Sequence, residues 1–234
     1  MTEISYDQLE KLKTWDTPTI CNGLEAIDTK HAQSGFTTHH MVCSNPDFGS
    51  IVGFAKTATI RARTPSPLSK SDQENITQDY YRYMAEDPHP SVVIIEDLDS
   101  PPGFGAWWGE VHTTVHQGFG EVGVVTNGSI RDLDANPSNF MMLAGNIGPS
   151  HGHVHVVDMG LDVSIFSMNV RPGAIIHADR HGAVVIPHTA IQDLPVAIEA
   201  LTEQESRVID VAKSDDFSLE KFFEARRNVS TMQR

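Results

Sequence analysis

The spacing of apolar residues predicts helices at both ends of this chain and strands through its middle. Residues 5–8, Ser-Tyr-Asp-Gln, have the order of a capping box, and Leu9 and Leu12 follow at helical spacing. A second helix is predicted to begin with Thr17 as its N-cap and Pro18 at its first helical position. Its inward-facing residues are predicted to be Ile20, Leu24 and Ile27. Further helices are predicted over residues 72–86, 195–213 and 217–227.

Runs of β-branched and other apolar residues predict the strands, whereas residues 29–50 are predicted to form a loop. The run from Val92 to Ile95 has no polar interruption, which is typical of a strand buried on both faces. Asp97 and Asp99 at the end of that strand are either ligands or, more commonly, solvated turn residues. The predicted strands are residues 51–63, 91–98, 122–126, 140–145, 153–159, 163–170, 174–178 and 183–186.

The last four predicted strands are short, and turn signals at Gly160 and at residues 171–173 and 179–182 separate them regularly. Such spacing is typical of a meander or of a partly closed barrel. A chain of 234 residues fits one domain. We therefore predict an α/β fold in which a β-rich centre, a partly closed barrel, is flanked by helices. The prediction is a single domain over residues 1–234 with helical N- and C-terminal extensions.

The charge balance argues against two classes of partner. The formal net charge is −14, with 31 acidic against 17 basic residues. Such a surface repels phosphate groups, so we expect no sequence-independent nucleic-acid binding and no docking on anionic membranes. The N-terminus lacks the apolar segment of a signal peptide, and no run of 18 apolar residues is present. We expect a cytoplasmic protein whose two cysteines, Cys21 and Cys43, are free thiols.

Candidate chemistry concentrates between residues 103 and 134. Gly109-Glu110 is predicted to begin a helix, a buried strand follows, and after a tight turn at Asn127-Gly128 comes the pair Arg131-Asp132. This order can place an acid at a helix N-terminus against an Arg-Asp pair at a strand end, where α/β folds bind ligands. The carboxylates suit Mg²⁺ and the guanidinium suits a substrate carboxylate. The alternative is a surface ion pair at a turn.

Two other groups of residues suggest chemistry less strongly. On a strand, His151, His153 and His155 would share one face and resemble zinc ligands. Steps of about 7 Å are too wide for one ion, so lining of a cleft or a subunit contact is favoured. The segment Asp-Arg-His-Gly at 179–182 is either an acid–base cluster or a charged turn with glycine at positive φ. We favour the turn, at the mouth of a pocket.

Three segments together resemble the RraA-like family, the class II 4-hydroxy-4-methyl-2-oxoglutarate / 4-carboxy-4-hydroxy-2-oxoadipate aldolases. Twenty residues separate Glu110 from Arg131-Asp132, as in the family's D-x20-R-D signature. GVVTNGSIRD resembles the family's GVVIDGAVRD, and VRPGAIIHADRHGAVVIP resembles its VRPGDLVVADxDGVVVVP. The resemblance covers about residues 15–205 and implies the RraA-like swivelling β/β/α fold as a single domain.

The resemblance also implies roles for the residues that match the signature. Asp132 would bind Mg²⁺ or Mn²⁺ directly, and Glu110 would hold a metal-bound water. Arg131 would bind the substrate, a small 2-oxo or hydroxy acid, whose carboxylate the backbone amides of Gly109, Glu110 and Val111 would receive. The implied activity is that of a lyase that breaks a carbon–carbon bond through a pyruvate enolate, by retro-aldol cleavage or oxaloacetate-type decarboxylation.

The family's assembly and its non-catalytic members bear on the same residues. The resemblance implies a homotrimer or hexamer with sites at subunit boundaries, each completed by a neighbour's glutamate, for which Glu199, Glu203 and Glu205 are candidates. Glu110 replaces the family's first aspartate, and Trp107-Trp108 are bulkier than the family's residues there. The alternative function is a non-catalytic regulator that binds a protein such as a ribonuclease. Those regulators lack the aspartate after the arginine, so Asp132 favours the enzyme.

Overall fold

Four parallel strands form the middle of a nine-stranded sheet in the computed structural model, which describes residues 4–88 and 90–230. The sheet curls into a half-barrel that helices flank, so the predicted α/β fold is confirmed. The strands are β1 Val42–Cys43, β2 Ile51–Arg61, β3 Ser91–Asp97, β4 Ala106–Trp108, β5 Glu121–Ile130, β6 Met141–Ile147, β7 His155–Met159, β8 Val163–Ile165, β9 Met168–Val170, β10 Ile175–Asp179 and β11 Gly182–Ile186.

The sheet order is β1-β6-β5-β3-β2-β10-β11, with β4 added beside β5 and β7 beside β2. Of the two predicted alternatives for the second half, the meander is excluded, because β7 and β10 both pair with β2 from the first half. Strands β2, β3, β5 and β6 run parallel, so their carboxyl ends lie at one edge. Arg131 and Asp132 follow the last residue of β5 and therefore lie at that edge.

Six α-helices lie in the part of the chain that the structure describes, and the predicted capping box at Ser5 is confirmed. The N-cap of the second helix is Asp16 and not Thr17, because the Asp16 carboxylate accepts the Thr19 N–H at 2.9 Å. Ile27, predicted to face inward, is 37% exposed. The helices are α1 Tyr6–Leu12, α2 Thr17–Ile27, α3 Lys70–Met84, α4 Glu110–Phe119, α5 Leu194–Lys213 and α6 Leu219–Ser230.

Two predicted elements differ from the structure because of backbone conformation. Residues 163–170 are not one strand but the hairpin β8–β9, whose turn residues Phe166 and Ser167 have φ values of 46° and 73°. Asn127-Gly128 is not a tight turn, since β5 continues through it with an irregularity in its pairing to β6. The sheet therefore carries the chain without a turn from the core to Arg131.

Two buried carboxylates shape the loop that leads to the site. Asp97 is 3% exposed and accepts the N–H groups of Asp99 and Gly103 at 2.9 and 2.7 Å. Asp99 accepts those of Ala62 and Arg63 at 2.9 and 2.7 Å. The expectation that both acids are solvated turn residues is wrong. Their side chains are buried, and their carboxylate oxygens accept hydrogen bonds from backbone N–H groups and not from water. The loop they hold delivers β4, a strand that the sequence pattern did not predict.

Glu121, at the start of β5, is buried with both carboxyl oxygens lacking a hydrogen-bond partner. Burial raises its pKa to about 8, against the opposing effect of Lys56. The folded protein thus keeps a proton that the unfolded chain loses near pH 4.5, and the free energy of unfolding should decrease between about pH 4.5 and 8. The difference in free energy of unfolding between Glu121→Gln and wild type should therefore change by on the order of 4 kcal/mol, in favour of the variant, from pH 5 to pH 9.

Urea unfolding of both proteins at pH 5, 7 and 9 measures this difference. The glutamine keeps the shape of the side chain but cannot ionise, so all other titrating groups cancel in the comparison. Stability curves that stay parallel across this pH range would contradict the assignment of a protonated Glu121.

Candidate active site

The N-terminus of α4 and the carboxyl end of β5 meet at Glu110 and Arg131-Asp132. The Arg131 N–H donates to the Trp108 carbonyl at 2.9 Å, and the Glu110 N–H donates to the Asp132 carboxylate at 3.2 Å. An acid at a helix N-terminus therefore lies beside an Arg-Asp pair at a strand end, as the sequence pattern predicts. Asp132 also caps the helix, because it satisfies a backbone donor that has no partner inside the helix.

Asp132 has an unusual backbone conformation, with φ at 54°. Non-glycine residues adopt this left-handed region at a cost of roughly 1 kcal/mol or more, and aspartate is among those that tolerate it best. The Asp132 carbonyl accepts the Ala135 N–H at 3.0 Å, which closes the turn. A strained conformation at a carboxylate that faces a helix N-terminus is typical of a functional site.

Gly109 provides the space in which these side chains lie. A Cβ atom at this position would be 2.4 Å from Asp132 Oδ2 and 3.1 Å from both Cγ and Nε of Arg131. Gly109 has φ of −162°, an extended conformation open to any residue, so its requirement is one of space. The absent side chain lets Arg131 and Asp132 fold over the start of the helix.

Arg131 carries an unsatisfied hydrogen-bond donor into the site. Its Nε atom is buried without a hydrogen-bond partner and lies 3.6 Å from Asp132 Oδ2, beyond hydrogen-bond length. The two side chains are 36% and 40% exposed, so the pair is open to solvent at one side. A buried donor without a partner is costly, and a carboxylate is the kind of acceptor that a guanidinium binds most strongly.

The donor set fits a hard divalent cation that keeps part of its water. Asp132 and Glu110 are both exposed carboxylates at the same helix end. Over residues 4–88 and 90–230, no three His, Cys, Asp or Glu side chains are grouped closely enough to hold a metal. Mg²⁺ needs only one or two protein carboxylates with waters, whereas a closed zinc site needs more ligands.

Below the site, the inner face of α4 packs into an aromatic cluster. The His116 Nδ1–H donates to the His112 carbonyl at 2.6 Å, so its Nε2 accepts from the Tyr80 hydroxyl at 2.7 Å. Burial lowers the pKa of His112 to about 4 and that of His116 to about 3, and the charge of Arg131 adds to the effect at His112. Both imidazoles are therefore neutral at pH 7. The bulk of Trp107 and Trp108, 7% and 0% exposed, is accommodated in this core.

The histidine triplet does not have the predicted arrangement. Strand β7 begins only at His155, so the alternation that would align the three side chains does not extend to His151 and His153. His155 is buried and its Nδ1–H donates to the His153 carbonyl at 2.8 Å, while His151 and His153 are exposed. The triplet is not brought to Asp132 by any contact in the described parts of the chain.

The charged turn at residues 179–182 is confirmed. It joins β10 to β11, and Gly182 has φ of 135°. The turn residues Asp179, Arg180 and His181 line a cavity of about 400 Å³ next to Trp15 and Ser50.

The three candidate glutamates all lie on α5, which packs against α2 and α6. Glu199 pairs with Lys11 at 3.3 Å and Glu203 with Arg207 at 2.6 Å, both on the surface. Exposed pairs of this kind are weak and exchange partners easily. None of the three is brought to the site of its own chain by a contact in the part that the structure describes, and a neighbour's glutamate stays a prediction.

Two polar residues of the site had no signal in the sequence. Asn136, after the Asp132 turn, donates from its side-chain amide to the carbonyls of Arg131 and Asp132, at 3.2 Å to the former. The buried Thr113 hydroxyl on α4 donates to Asn136 Oδ1 at 2.8 Å. Their partners come together only in three dimensions.

Among the described residues, no helix is long and apolar enough to cross a membrane. Cys21 and Cys43 are free, as predicted.

Comparison with known proteins identifies relatives of this fold. A curated relative, Protein DlpA of Legionella pneumophila subsp. pneumophila (strain Philadelphia 1), is 26% identical over 134 residues, which are 54% of this chain. The match spans only 21% of the length of that protein. A crystal structure from Pseudomonas syringae pv. tomato has a TM-score of 0.73 at 21% identity, covering 97% of this chain and 96% of the other.

RraAS2 from Streptomyces coelicolor, an unusual member of the RNase ES inhibitor RraA protein family, has a TM-score of 0.67 at 15% identity. The alignment covers 92% of this chain and all of RraAS2. At these identities the likeness is one of fold. A family model described as RraA-like, Aldolase/RraA, matches residues 17–185, which include the helix start, the Arg-Asp pair and the charged turn. The chain therefore belongs to the RraA-like (Aldolase/RraA) family.

Proposed function

We propose that this protein is a divalent-metal-dependent lyase that cleaves a carbon–carbon bond of a small 2-oxo acid. The reaction is retro-aldol cleavage, decarboxylation of the oxaloacetate type, or both. The observation that carries the proposal is the Asp132 carboxylate, which a left-handed backbone conformation places at the N-terminus of α4, beside an Arg131 Nε that lacks a hydrogen-bond partner. A carboxylate that suits a divalent cation and a guanidinium that suits an anion are thus side by side.

The substrate carboxylate binds where positive charge is already fixed. The first N–H groups of α4 and the helix dipole favour an anion, and the Arg131 guanidinium lies at the same point. Gly109 has no side chain, which lets Arg131 and Asp132 lie directly over this helix end. These groups orient the 2-oxo acid with its reacting carbon toward the exposed carboxylates.

Asp132 and Glu110 would hold Mg²⁺ or Mn²⁺, Asp132 directly and Glu110 through water. When bound, the cation supplies positive charge that stabilises the negative oxygen of the enolate left by bond cleavage. In retro-aldol cleavage the hydroxyl proton leaves as the new carbonyl forms, the carbon–carbon bond breaks, and the enolate takes up a proton to give pyruvate. Glu110, exposed at the first helical position, provides a carboxylate that can accept and return this proton.

We further propose a homotrimer or a dimer of trimers with sites at subunit boundaries. Large apolar side chains are exposed around the site, and a neighbouring subunit would cover them. They are Phe104, Val111, Val115, Leu133 and Ile147. Such a contact also brings a second chain close enough to add a glutamate to the two carboxylates.

The experiment that tests the function is pyruvate release from oxaloacetate, coupled to lactate dehydrogenase. It is run with Mg²⁺ or Mn²⁺ and with excess EDTA, and each rate is corrected for the same ions without protein. We expect release above the metal-only background that EDTA abolishes and added Mn²⁺ restores. Oxaloacetate is chosen because its cleavage requires only enolate stabilisation, so it makes few demands on the rest of the pocket.

A rate equal to the metal-only background, with oxaloacetate and with 4-hydroxy-2-oxo acids, would overturn the lyase proposal. The regulator alternative, which binds a protein partner such as a ribonuclease, would then be the function to test.

A further inference from the structure

We propose that Asn136 is a positioning residue that fixes the direction of the Asp132 carboxylate, and that Thr113 anchors it to α4. The inference rests on the proposed function for its effect on metal binding and turnover. Its structural part, the hold of Asn136 on the Arg131-Asp132 turn, stands on the contacts alone.

The orientation of the Asn136 side chain follows from the chemistry of its partners. Its Nδ2 atom donates to the carbonyls of both Arg131 and Asp132. Carbonyl oxygens only accept, so the amide nitrogen must face the turn and the Asn136 oxygen must face α4. There it meets the hydroxyl of Thr113 at 2.8 Å.

The Thr113 hydroxyl has one proton and three acceptors within reach. Its Oγ1 lies 3.1 Å from the Gly109 carbonyl, 3.0 Å from the Glu110 carbonyl and 2.8 Å from Asn136 Oδ1. The shortest of these contacts is the one to Asn136. Thr113 is fully buried, so water does not compete for the bond. The result is a polar link from the first turn of α4 to the turn that carries Asp132.

The Asp132 side chain is itself weakly held. Its hydrogen bond from the Glu110 N–H is long, at 3.2 Å, and the Arg131 Nε lies 3.6 Å away, too far for a hydrogen bond. The carboxylate is also 40% exposed. Its direction is therefore set mainly by the backbone, whose left-handed conformation at Asp132 requires outside support. Asn136 supplies that support through two hydrogen bonds.

The test measures Mn²⁺ affinity by electron paramagnetic resonance of the free ion, together with kcat and KM for oxaloacetate. Asn136→Ala is expected to weaken Mn²⁺ binding and to lower kcat by about tenfold each, as for loss of an outer-shell partner. Thr113→Val should have a similar effect, and the double variant should be no worse than either single one, because both act through one link. Thr113→Ser keeps the hydroxyl and should restore both values.

Asn45→Ala is the matched control. Asn45 donates its side-chain amide to the Ser138 carbonyl at 3.3 Å, so it holds the same connector without touching the Asp132 turn. It should lower the melting temperature by less than Asn136→Ala, because it loses one hydrogen bond and not three, and it should leave Mn²⁺ affinity and kcat unchanged. Equal losses in the two variants would reduce Asn136 to a general support of the connector and overturn the proposal.

Amide hydrogen exchange at Glu110 gives a readout that needs neither metal nor activity. The Glu110 N–H is bonded to the carboxylate that Asn136 is proposed to direct. In Asn136→Ala this amide should exchange about fivefold faster, as expected for loss of one hydrogen bond, and in Asn45→Ala it should not change. If wild type binds no Mn²⁺, the proposed function fails, and unchanged Glu110 exchange in Asn136→Ala would separately overturn the positioning role.

Discussion

Asp132→Asn is expected to reduce metal-dependent pyruvate release to the metal-only background, a loss of at least about 10²-fold. The amide keeps the size of the side chain, tolerates the left-handed backbone, and can still accept the Glu110 N–H. It loses only the negative charge that would hold a divalent cation. Activity should therefore disappear while the melting temperature stays within a few degrees of wild type.

Asp134→Asn is the matched control, because it removes the same charge from the same exposed turn two residues later. It should leave activity and Mn²⁺ affinity unchanged, which would exclude a general field effect. Asp132→Ala is the third variant. Alanine is less stable than aspartate in the left-handed backbone conformation of this position, so this variant should lose stability as well as activity. Wild-type turnover by Asp132→Asn would disprove the assignment of Asp132 as the metal ligand.

Gly109→Ala is expected to reduce kcat/KM about 10²-fold with little change in stability. The new Cβ would lie 2.4 Å from Asp132 Oδ2, so the carboxylate must move by about 1 Å. Displacements of this size at a reacting centre can cost 10²-fold in rate. The backbone conformation of Gly109 suits alanine, and the clash is with the end of a side chain, so the fold can absorb it.

Gly118→Ala, in the same helix, separates this steric effect from the effect of alanine on helix stability. A Cβ at Gly118 meets no atom within 4 Å among the residues that the structure describes. It should therefore stabilise α4 by about 0.5–1 kcal/mol and leave the activity unchanged. Equal activity in the two variants would show that the Asp132 carboxylate does not need its observed position.

The sequence predicts the site's two principal elements because both depend on local signals. A glycine before an acid marks the start of α4. A run of apolar β-formers from Val122 to Thr126 marks β5, which ends at Ile130, directly before Arg131. The prediction that the start of α4 and the end of β5 lie together uses the general rule that α/β folds bind ligands at the carboxyl ends of their strands. The family signature led to the same residues, and membership of that family is now shown.

The errors arise where tertiary contacts or backbone conformation override local preference. Asn127-Gly128 is a strong turn signal, yet pairing to β6 keeps it inside a strand. Phe166 and Ser167 form a turn at positive φ that neither residue type indicates. Asn136 and Thr113 are ordinary polar residues in the sequence, and only the folded chain brings them within 2.8 Å of each other.

The position of β2 in the sheet has a consequence for biosynthesis. One edge of β2 can pair with β3 soon after both strands are synthesised. The other edge pairs with β7 and β10, which come much later in the chain, so Val52 has no strand partner until His177 has been synthesised. Until the ribosome has released the second half, this apolar strand exposes unpaired backbone groups that can join a strand of another nascent chain. Such distant pairing is also slow. We therefore expect the yield of soluble protein to depend on chaperones that bind extended apolar segments. Slower translation should increase this dependence, because it prolongs the exposure of β2.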